Sequence, residues 1–293
     1  MKDTYVLVTA ARNEEEYIER TIKSVIEQTI LPQRYVIVSD ASTDRTDEIA
    51  KRYAAEYDFI EYARLDSQSE RDFACQVYGQ HAGVDRLGGG EYDFIGMLDA
   101  DISFEPDYYE KILTEFDRDL RLGLAGGIPF DLWDGKWVRQ TVSIHWAVSG
   151  PIQMFRRKCF EDIGGYIPLE KGGQDGIAEV MARMHGWKVR SFPDIEVFHY
   201  RPTGACGGSA LVRQFQFGIR EYSYGTHPFF EVAKCLSRLL AIKPCVFGAF
   251  VRLGGYFWAL LRREQQKVPG DVIRFLRREQ IQRLCHVVSS SHS

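Results

Sequence analysis

The stretch Phe94-Ile95-Gly96-Met97-Leu98-Asp99-Ala100-Asp101 decides the fold of this chain. Its apolar run reads as a strand buried on both faces, as in a parallel sheet. It ends in two carboxylates one residue apart. In open α/β sheets, ligands bind just beyond the carboxyl ends of the strands. Asp99 and Asp101 therefore stand where a divalent cation and a diphosphate would be met. Mg²⁺ or Mn²⁺ suits such a place, since hard cations take a few carboxylates plus phosphate oxygens. A solvated turn also produces Asp-x-Asp. The apolar strand before it and the polar strand ends upstream set this copy apart.

Working backwards, the first hundred residues alternate between two periods. Tyr5 to Thr9 is a β-branched apolar run, and Tyr35 to Val38 is a second. Phe59 to Ala63 is a weaker third. Between them, residues 14–28 carry Tyr17, Ile18, Ile22, Val25 and Ile26 on one helical face. Residues 44–57 read as a second helix, capped by Ser42 or Thr43, and residues 71–87 as a third, stopped by Gly88-Gly89-Gly90. This is a β-α-β-α-β-α-β order, hence a parallel sheet with helices on both faces.

Working forwards, Pro106 to Asp117 reads as a helix. Residues 123–155 read as short strands and loops. Short helices follow at Cys159 to Ile163 and Asp175 to His185, then a strand from Trp187 to Ser191. From about residue 206 helices dominate. Phe229 to Ile242 has an apolar face, and Cys245 to Leu261 is apolar except for Arg252. That stretch is borderline for a bilayer span, and the central Arg252 argues for an in-plane or re-entrant arrangement. The basic amphipathic segment after it, through Leu284, suits an anionic membrane surface. A helical cap that buries the same faces is the competing expectation. The Ser-rich 289–293 reads as a disordered tail.

The whole-chain numbers exclude some classes. The 293 residues carry a net charge of −4, which gives no global bias toward nucleic acid. Six scattered cysteines lack metal-ligand spacing and form no disulfide framework, so free thiols in a reducing compartment are expected. Met1-Lys2-Asp3-Thr4 shows no apolar leader, so a cytoplasmic location is expected.

The remaining polar strand ends complete the pattern. The first strand runs into Ala10-Ala11-Arg12-Asn13-Glu14. Small residues there allow a ligand near the backbone, and the amides of the next helix would favour an anion. The second strand ends at Asp40, placed to accept from a ring N–H or a sugar hydroxyl. Asp44, after Ala41-Ser42-Thr43, reads as a turn and cap residue.

These stretches, with Gly172-Gly173-Gln174-Asp175 downstream, resemble the family 2 glycosyltransferases over roughly residues 4–205. The resemblance implies an α/β GT-A fold, a Rossmann-like and mostly parallel nucleotide-binding sheet with a helical, partly apolar C-terminal extension. It implies a catalytic domain at 1–205, split into a nucleotide-sugar half at 1–101 and an acceptor half at 102–205, then a helical region at 206–293. The implied activity is inverting, metal-dependent transfer of one hexosyl unit. The donor would be a nucleotide sugar, UDP-linked for preference, and the acceptor a saccharide or polyprenyl-linked glycan. The membrane surface would be met through residues 229–284. An inactive membrane-docked nucleotide-sugar-binding protein is the alternative. A sugar-phosphate nucleotidyltransferase is a weaker one, since Ala10 to Glu14 lacks that class's glycine-rich loop.

Roles follow by position. Glu14 and Asp40 resemble nucleoside contacts, with Ala11 and Arg12 grouped beside them and Arg71 as a basic donor contact. Asp99 and Asp101 resemble the metal and ribose-diphosphate site, and His199 stands where relatives place a third metal ligand for Mn²⁺ or Mg²⁺. Asp175 is the expected general base, taking the acceptor hydroxyl's proton; capping the helix after it is the bland reading. The two preceding glycines would let the loop close on substrate. Residues 150–157 would form part of the acceptor wall, and Trp146 would stack on a sugar face or pack in the core. Two departures stand out. Ser39 replaces the first of a usual acidic pair, and Gly79-Gln80-His81 replaces an Ala-x-Asn pattern. The Gln-x-x-Arg-Trp motif of processive synthases is not found, which favours single-sugar addition.

Overall fold

The computed structural model describes residues 4–66, 73–201, 209–239 and 246–290. Arg71 lies outside these residues, as do Cys206, Cys245 and 291–293. Two compact units emerge, one within Met1–Glu170 and Gln174–Ala205, the other within Lys171–Gly173 and Cys206–Ser293.

In the first unit, β1 (Tyr5–Ala11), α1 (Ile18–Ile26), β2 (Arg34–Asp40), α2 (Thr46–Glu56), β3 (Ile60–Leu65), α3 (Phe73–Leu87) and β4 (Phe94–Leu98) follow the alternation read from the sequence. Next come β5 (Ile102–Phe104), α4 (Tyr108–Arg118), β6 (Leu122–Trp133), β7 (Lys136–Arg139), β8 (Ile152–Arg156), α5 (Arg157–Ile163), α6 (Gln174–Met184) and β9 (Lys188–His199). One sheet runs β3-β2-β1-β4-β8-β6-β9-β5, with β7 against β6. The β3-β2-β1-β4 half is parallel. The Phe94 strand is parallel only to β1, because β8 lies antiparallel on its other side. Beyond it the sheet is mixed, β6 and β9 running parallel and β5 antiparallel to β9.

Both faces of β1 are buried, which is why it reads as a continuous apolar run. Tyr5 and Leu7 join the main core with Ile18, Ile22 and Phe94. Val8 faces α3, which approaches closely because Gly79 and Gly83 lack side chains. A Cβ at Gly79 would lie 2.8 Å from the Ala10 Cβ, and one at Gly83 would lie 2.4 Å from Val8 Cγ1. The small residues after β1 thus serve helix packing, and Ala11 is core.

The expected short strands at 123–155 are in fact dominated by the twelve-residue β6. It stays extended past two glycines because Gly126 and Gly127 meet the backbones of Ile152 and Ile195. Of the 150–157 stretch expected in an acceptor wall, Ile152, Gln153, Met154 and Phe155 of β8 are buried mid-sheet, and Gly150 at its start lies beside Asp175. Trp146 is exposed, beside Arg183.

The second unit holds α7 (Ala210–Ser223), α8 (Pro228–Ser237), α9 (Phe247–Arg262) and α10 (Gly270–Ser290). Ser289 and Ser290, expected in a disordered tail, belong to α10. Helices α7 and α9 touch backbone to backbone at Gly218 and Gly255. Arg252, the charge that interrupts the apolar run, turns inward to Glu221 (2.6 Å) and Glu231 (2.9 Å). Lys234 reaches the same two carboxylates at 2.8 and 2.5 Å. Helix α10 buries Val272 and Ile273, and Gln280 accepts from the His227 amide at 2.8 Å. Part of its apolar face, Val272 and Ile273, thus packs on this unit, while Ile281 is exposed. Among the described residues no helix is long and apolar enough to cross a membrane.

Candidate functional site

The carboxyl ends of β1, β2, β4 and β9 carry most of the expected residues. Asp40 closes β2 with Arg12 Nη1 3.4 Å from its Oδ2. Glu14 is held by both Arg201 nitrogens, Nη1 at 2.9 Å and Nη2 at 2.5 Å. Arg201 Nε also lies 3.9 Å from Asp101 Oδ2. Arg201, 187 residues from Glu14 in sequence, thus ties the end of β1 to the Asp-x-Asp turn.

The anion-favouring amides expected after β1 are already used. Helix α1 starts at Ile18, and the amides before it donate to side chains of the β2–α2 loop. Asn13 N–H bonds Ser42 Oγ (3.1 Å), Glu14 N–H bonds Thr46 Oγ1 (2.7 Å) and Glu15 N–H bonds Asp44 Oδ2 (3.0 Å). Ser42 and Thr43 therefore do not cap α2. Asp44 accepts from Thr46 N–H at 3.0 Å, while Arg45 at the N-cap makes no side-chain cap bond.

His199 owes its place to strand register. It pairs with Ile102 across β5, which brings it to Asp101, and with Asp131 across β6. Residues paired in register on neighbouring strands point to the same face. Accordingly, His199 Nδ1 lies 2.7 Å from Asp131 Oδ1 and Nε2 3.5 Å from Asp101 Oδ1. Gln140 donates to Asp131 at 2.8 Å and fixes it in turn. Burial opposes a charge on His199, but hydrogen bonds to Asp101 and Asp131 outweigh it and push the ring up to about 10.

Asp99 accepts from Gln76 Nε2 at 2.7 Å. Enclosure by protein, then the Asp101 charge, push its carboxyl up to about 7, and Asp175 adds in the same direction. Two carboxylates so placed repel until a cation or proton relieves them. Among the described residues, no three His, Cys, Asp or Glu side chains stand as a closed metal cage. The donor set nevertheless fits a divalent ion held in part by substrate oxygens, the usual way Mg²⁺ binds. A ligating His commonly gives its other ring nitrogen to a carboxylate, as His199 does to Asp131.

Asp175 lies in the first turn of α6, which begins at Gln174. It is thus inside the helix rather than its cap. Gly150 makes room for it, since a Cβ there would sit 2.7 Å from Asp175 Oδ2. The loop before β8 is pinned by Glu179, whose Oε1 accepts from Val148 N–H at 2.8 Å. Gln174 Nε2 stands 3.4 Å from Gln76 Oε1. The path Gln174–Gln76–Asp99 joins the start of α6 to the Asp-x-Asp turn. The glycines before it, expected to close on a substrate, pack on Tyr224. Within the second unit, a Cβ at Gly173 would collide with the Tyr224 hydroxyl, which bonds Gly172 O.

Sequence reasoning missed Gln76, Asp131 and Arg201. Gln76 is three residues before Gly79 on the helix face that meets β1, a faint signal. His81 is spent on Tyr166 O at 2.8 Å.

The model of the family described as glycosyl transferase family 2 matches residues 6–173. The chain belongs to glycosyl transferase family 2. It is 29% identical over 202 residues to the poly-beta-1,6-N-acetyl-D-glucosamine synthase of Staphylococcus aureus, covering 63% of this chain and 47% of that protein. To the Staphylococcus epidermidis synthase it is 23% identical over 215 residues, covering 67% and 48%. The chain spans about half the length of these curated relatives. Solved structures with the same fold include S. aureus TarS 1-349 in complex with UDP-GlcNAc, at TM-score 0.57 and 14% identity, covering 89% and 92% of the two chains. The mannosyltransferase PcManGT from Pyrobaculum calidifontis, with GDP-Man and Mn²⁺, gives TM-score 0.56 at 16% identity, covering 97% and 81%. The family 2 chain thus carries the GT-A glycosyltransferase fold.

Proposed function

We propose that this family 2 chain is an inverting glycosyltransferase. It moves one hexosyl unit from a UDP-linked sugar to a saccharide or polyprenyl-linked acceptor, at the cytoplasmic face of a membrane. The observation that carries this reading is the rim where Asp99, Asp101 and His199 gather while Asp175 stands near enough to act on Asp99 electrostatically. Asp101 and His199, with Asp99, would hold Mn²⁺ or Mg²⁺, which when bound offsets negative charge on a departing diphosphate. Asp40, Arg12 and Arg201 are the side chains placed to orient the nucleotide. Asp175 takes the proton of the acceptor hydroxyl as it attacks from the face opposite the leaving group. No covalent intermediate is required, and the attack inverts the anomeric carbon.

Support for the donor comes from relatives. TarS is solved with UDP-GlcNAc, and the staphylococcal relatives are named for a poly-N-acetylglucosamine product. Family membership sets aside the nucleotidyltransferase alternative. The retained Asp99, Asp101 and Asp175 together weigh against an inactive binding protein. Calorimetric titration of UDP and UDP-GlcNAc, with and without Mn²⁺, tests the site. Asp101→Asn, nearly isosteric, should remove the Mn²⁺-dependent part of the affinity. Unchanged Mn²⁺-dependent binding in that variant would falsify the assignment.

A further inference from the structure

Helix α9 is built inside out. A surface helix of a soluble domain turns its apolar stripe inward and its charges outward. Here the inward face carries Gly248, Ala249, Arg252, Gly255, Tyr256 and Ala259, with Arg252 buried against Glu221 and Glu231. The outward face carries Phe247, Phe250, Phe257, Trp258 and Leu261, all exposed, Leu261 to 84% and Phe247 to 71%. Their spacing of three, ten, eleven and fourteen residues from Phe247 places them on one stripe. The neighbouring α8 behaves alike, with Phe229 and Leu236 exposed while Glu231 and Cys235 are buried. So many aromatic and leucine side chains left on one small unit mark an interaction surface.

The charges beside the stripe select the partner. No acidic residue occurs between Phe247 and Arg262. The exposed charges closing α8 and α9 are basic, Arg238 after α8 and Arg262 and Arg263 at the end of α9, with Lys267 in the loop beyond them beside the partly exposed Glu264. Arg262 lies 5.4 Å from the Trp258 ring, a pairing suited to the boundary between headgroups and acyl chains. A second copy of the same surface would bring no carboxylate to these arginines. At 16 residues α9 is about 24 Å long, shorter than a hydrocarbon core of about 30 Å. We propose that the outward stripes of α8 and α9 dock this chain on an anionic phospholipid surface, with α9 lying in the plane of the interface.

The full chain should float with vesicles of phosphatidylcholine and phosphatidylglycerol, and much less with phosphatidylcholine alone. Replacing Phe250, Phe257 and Leu261 by Ser should weaken partition at least about tenfold. Arg262→Gln with Arg263→Gln should cost about fivefold per arginine on anionic vesicles. Both sets are exposed, and circular dichroism checks that they fold. In the wild type, spin-labelled lipid should quench fluorescence that Trp258→Phe removes, a reading that needs no folded triple variant. The proposal falls if the wild type ignores anionic vesicles, or if the serine variant binds them equally. It falls too if light scattering finds a dimer that the serine substitutions dissolve, because a second copy then covers the stripe. Donor binding is read separately, so loss of either result leaves the other standing.

Discussion

Asp175 and Asp131 show how single carboxylates acquire roles from their neighbours. Asp175 has room because position 150 is glycine, and its helix is anchored through Glu179 to the loop that carries that glycine. A base so placed contributes through proton transfer and leaves donor contacts untouched. Asp175→Asn should therefore lower transfer by about 10²–10⁴-fold, with nucleotide affinity unchanged. Near-normal turnover, measured as sugar transfer under saturating donor, would remove Asp175 as the base. Asp131 acts at one remove, holding His199 Nδ1 so that Nε2 faces Asp101. The Asp-x-Asp pair was legible in the sequence because a polar end on an apolar strand is a local signal. Asp131 was not, since only the β6–β9 register brings it beside a histidine 68 residues away.

At the scale of elements, glycines decide which surfaces meet. A Cβ at Gly255 would lie 2.1 Å from Phe215 O, and one at Gly218 would lie 1.9 Å from Arg252 O. Neither backbone oxygen can swing aside as a side chain would. Gly254, one residue away, has open space. Gly255→Ala should then destabilise, overpacking costing about 1–3 kcal/mol against roughly 1 kcal/mol gained in helix propensity. Gly254→Ala should stabilise by about 0.5–1 kcal/mol. Thermal unfolding of the two variants compares them directly, and equal shifts of the same sign would contradict the packing. The same scale explains where sequence reading of the β1–α1 junction failed. The 14–28 helix read from the sequence suggested free amides at its start, but those of residues 13–15 meet Ser42 and Asp44 of the loop after β2 and Thr46 at the start of α2. That pairing depends on two loops meeting at one sheet edge, which local composition does not encode.

Across the whole molecule, the buried groups Asp99 and His199 of one unit and Glu221 of the other shift in opposite directions. In the first, Asp99 is raised from 3.8 to about 7 by burial and by Asp101, and His199 from 6.5 to about 10. Groups bound more tightly to protons when folded lend stability at low pH and lose it as pH climbs through the folded values. In the second, burial would raise Glu221, but Lys234 and Arg252 outweigh it and lower the carboxyl from 4.5 to about 2. Its contribution is present above about 4.3 and disappears as pH falls toward 2. Melting temperature in chelator should therefore decline on both sides of mildly acidic pH. Asp99→Asn should flatten the branch between about pH 4 and 7. Glu221→Gln should flatten the acid branch while costing about 3–5 kcal/mol, because buried cations lose a partner. A profile that neither variant alters would refute both assignments. What the amino-acid order determined alone was the succession of strands and helices and the polar residues ending each strand. Periodicity and strand-end chemistry are properties of neighbours in the chain. The fold alone decided that β8 enters antiparallel beside β4, that Arg201 clamps Glu14, and that α9 hides its arginine while showing its phenylalanines. Those outcomes rest on contacts between distant segments, whose energies no local stretch contains.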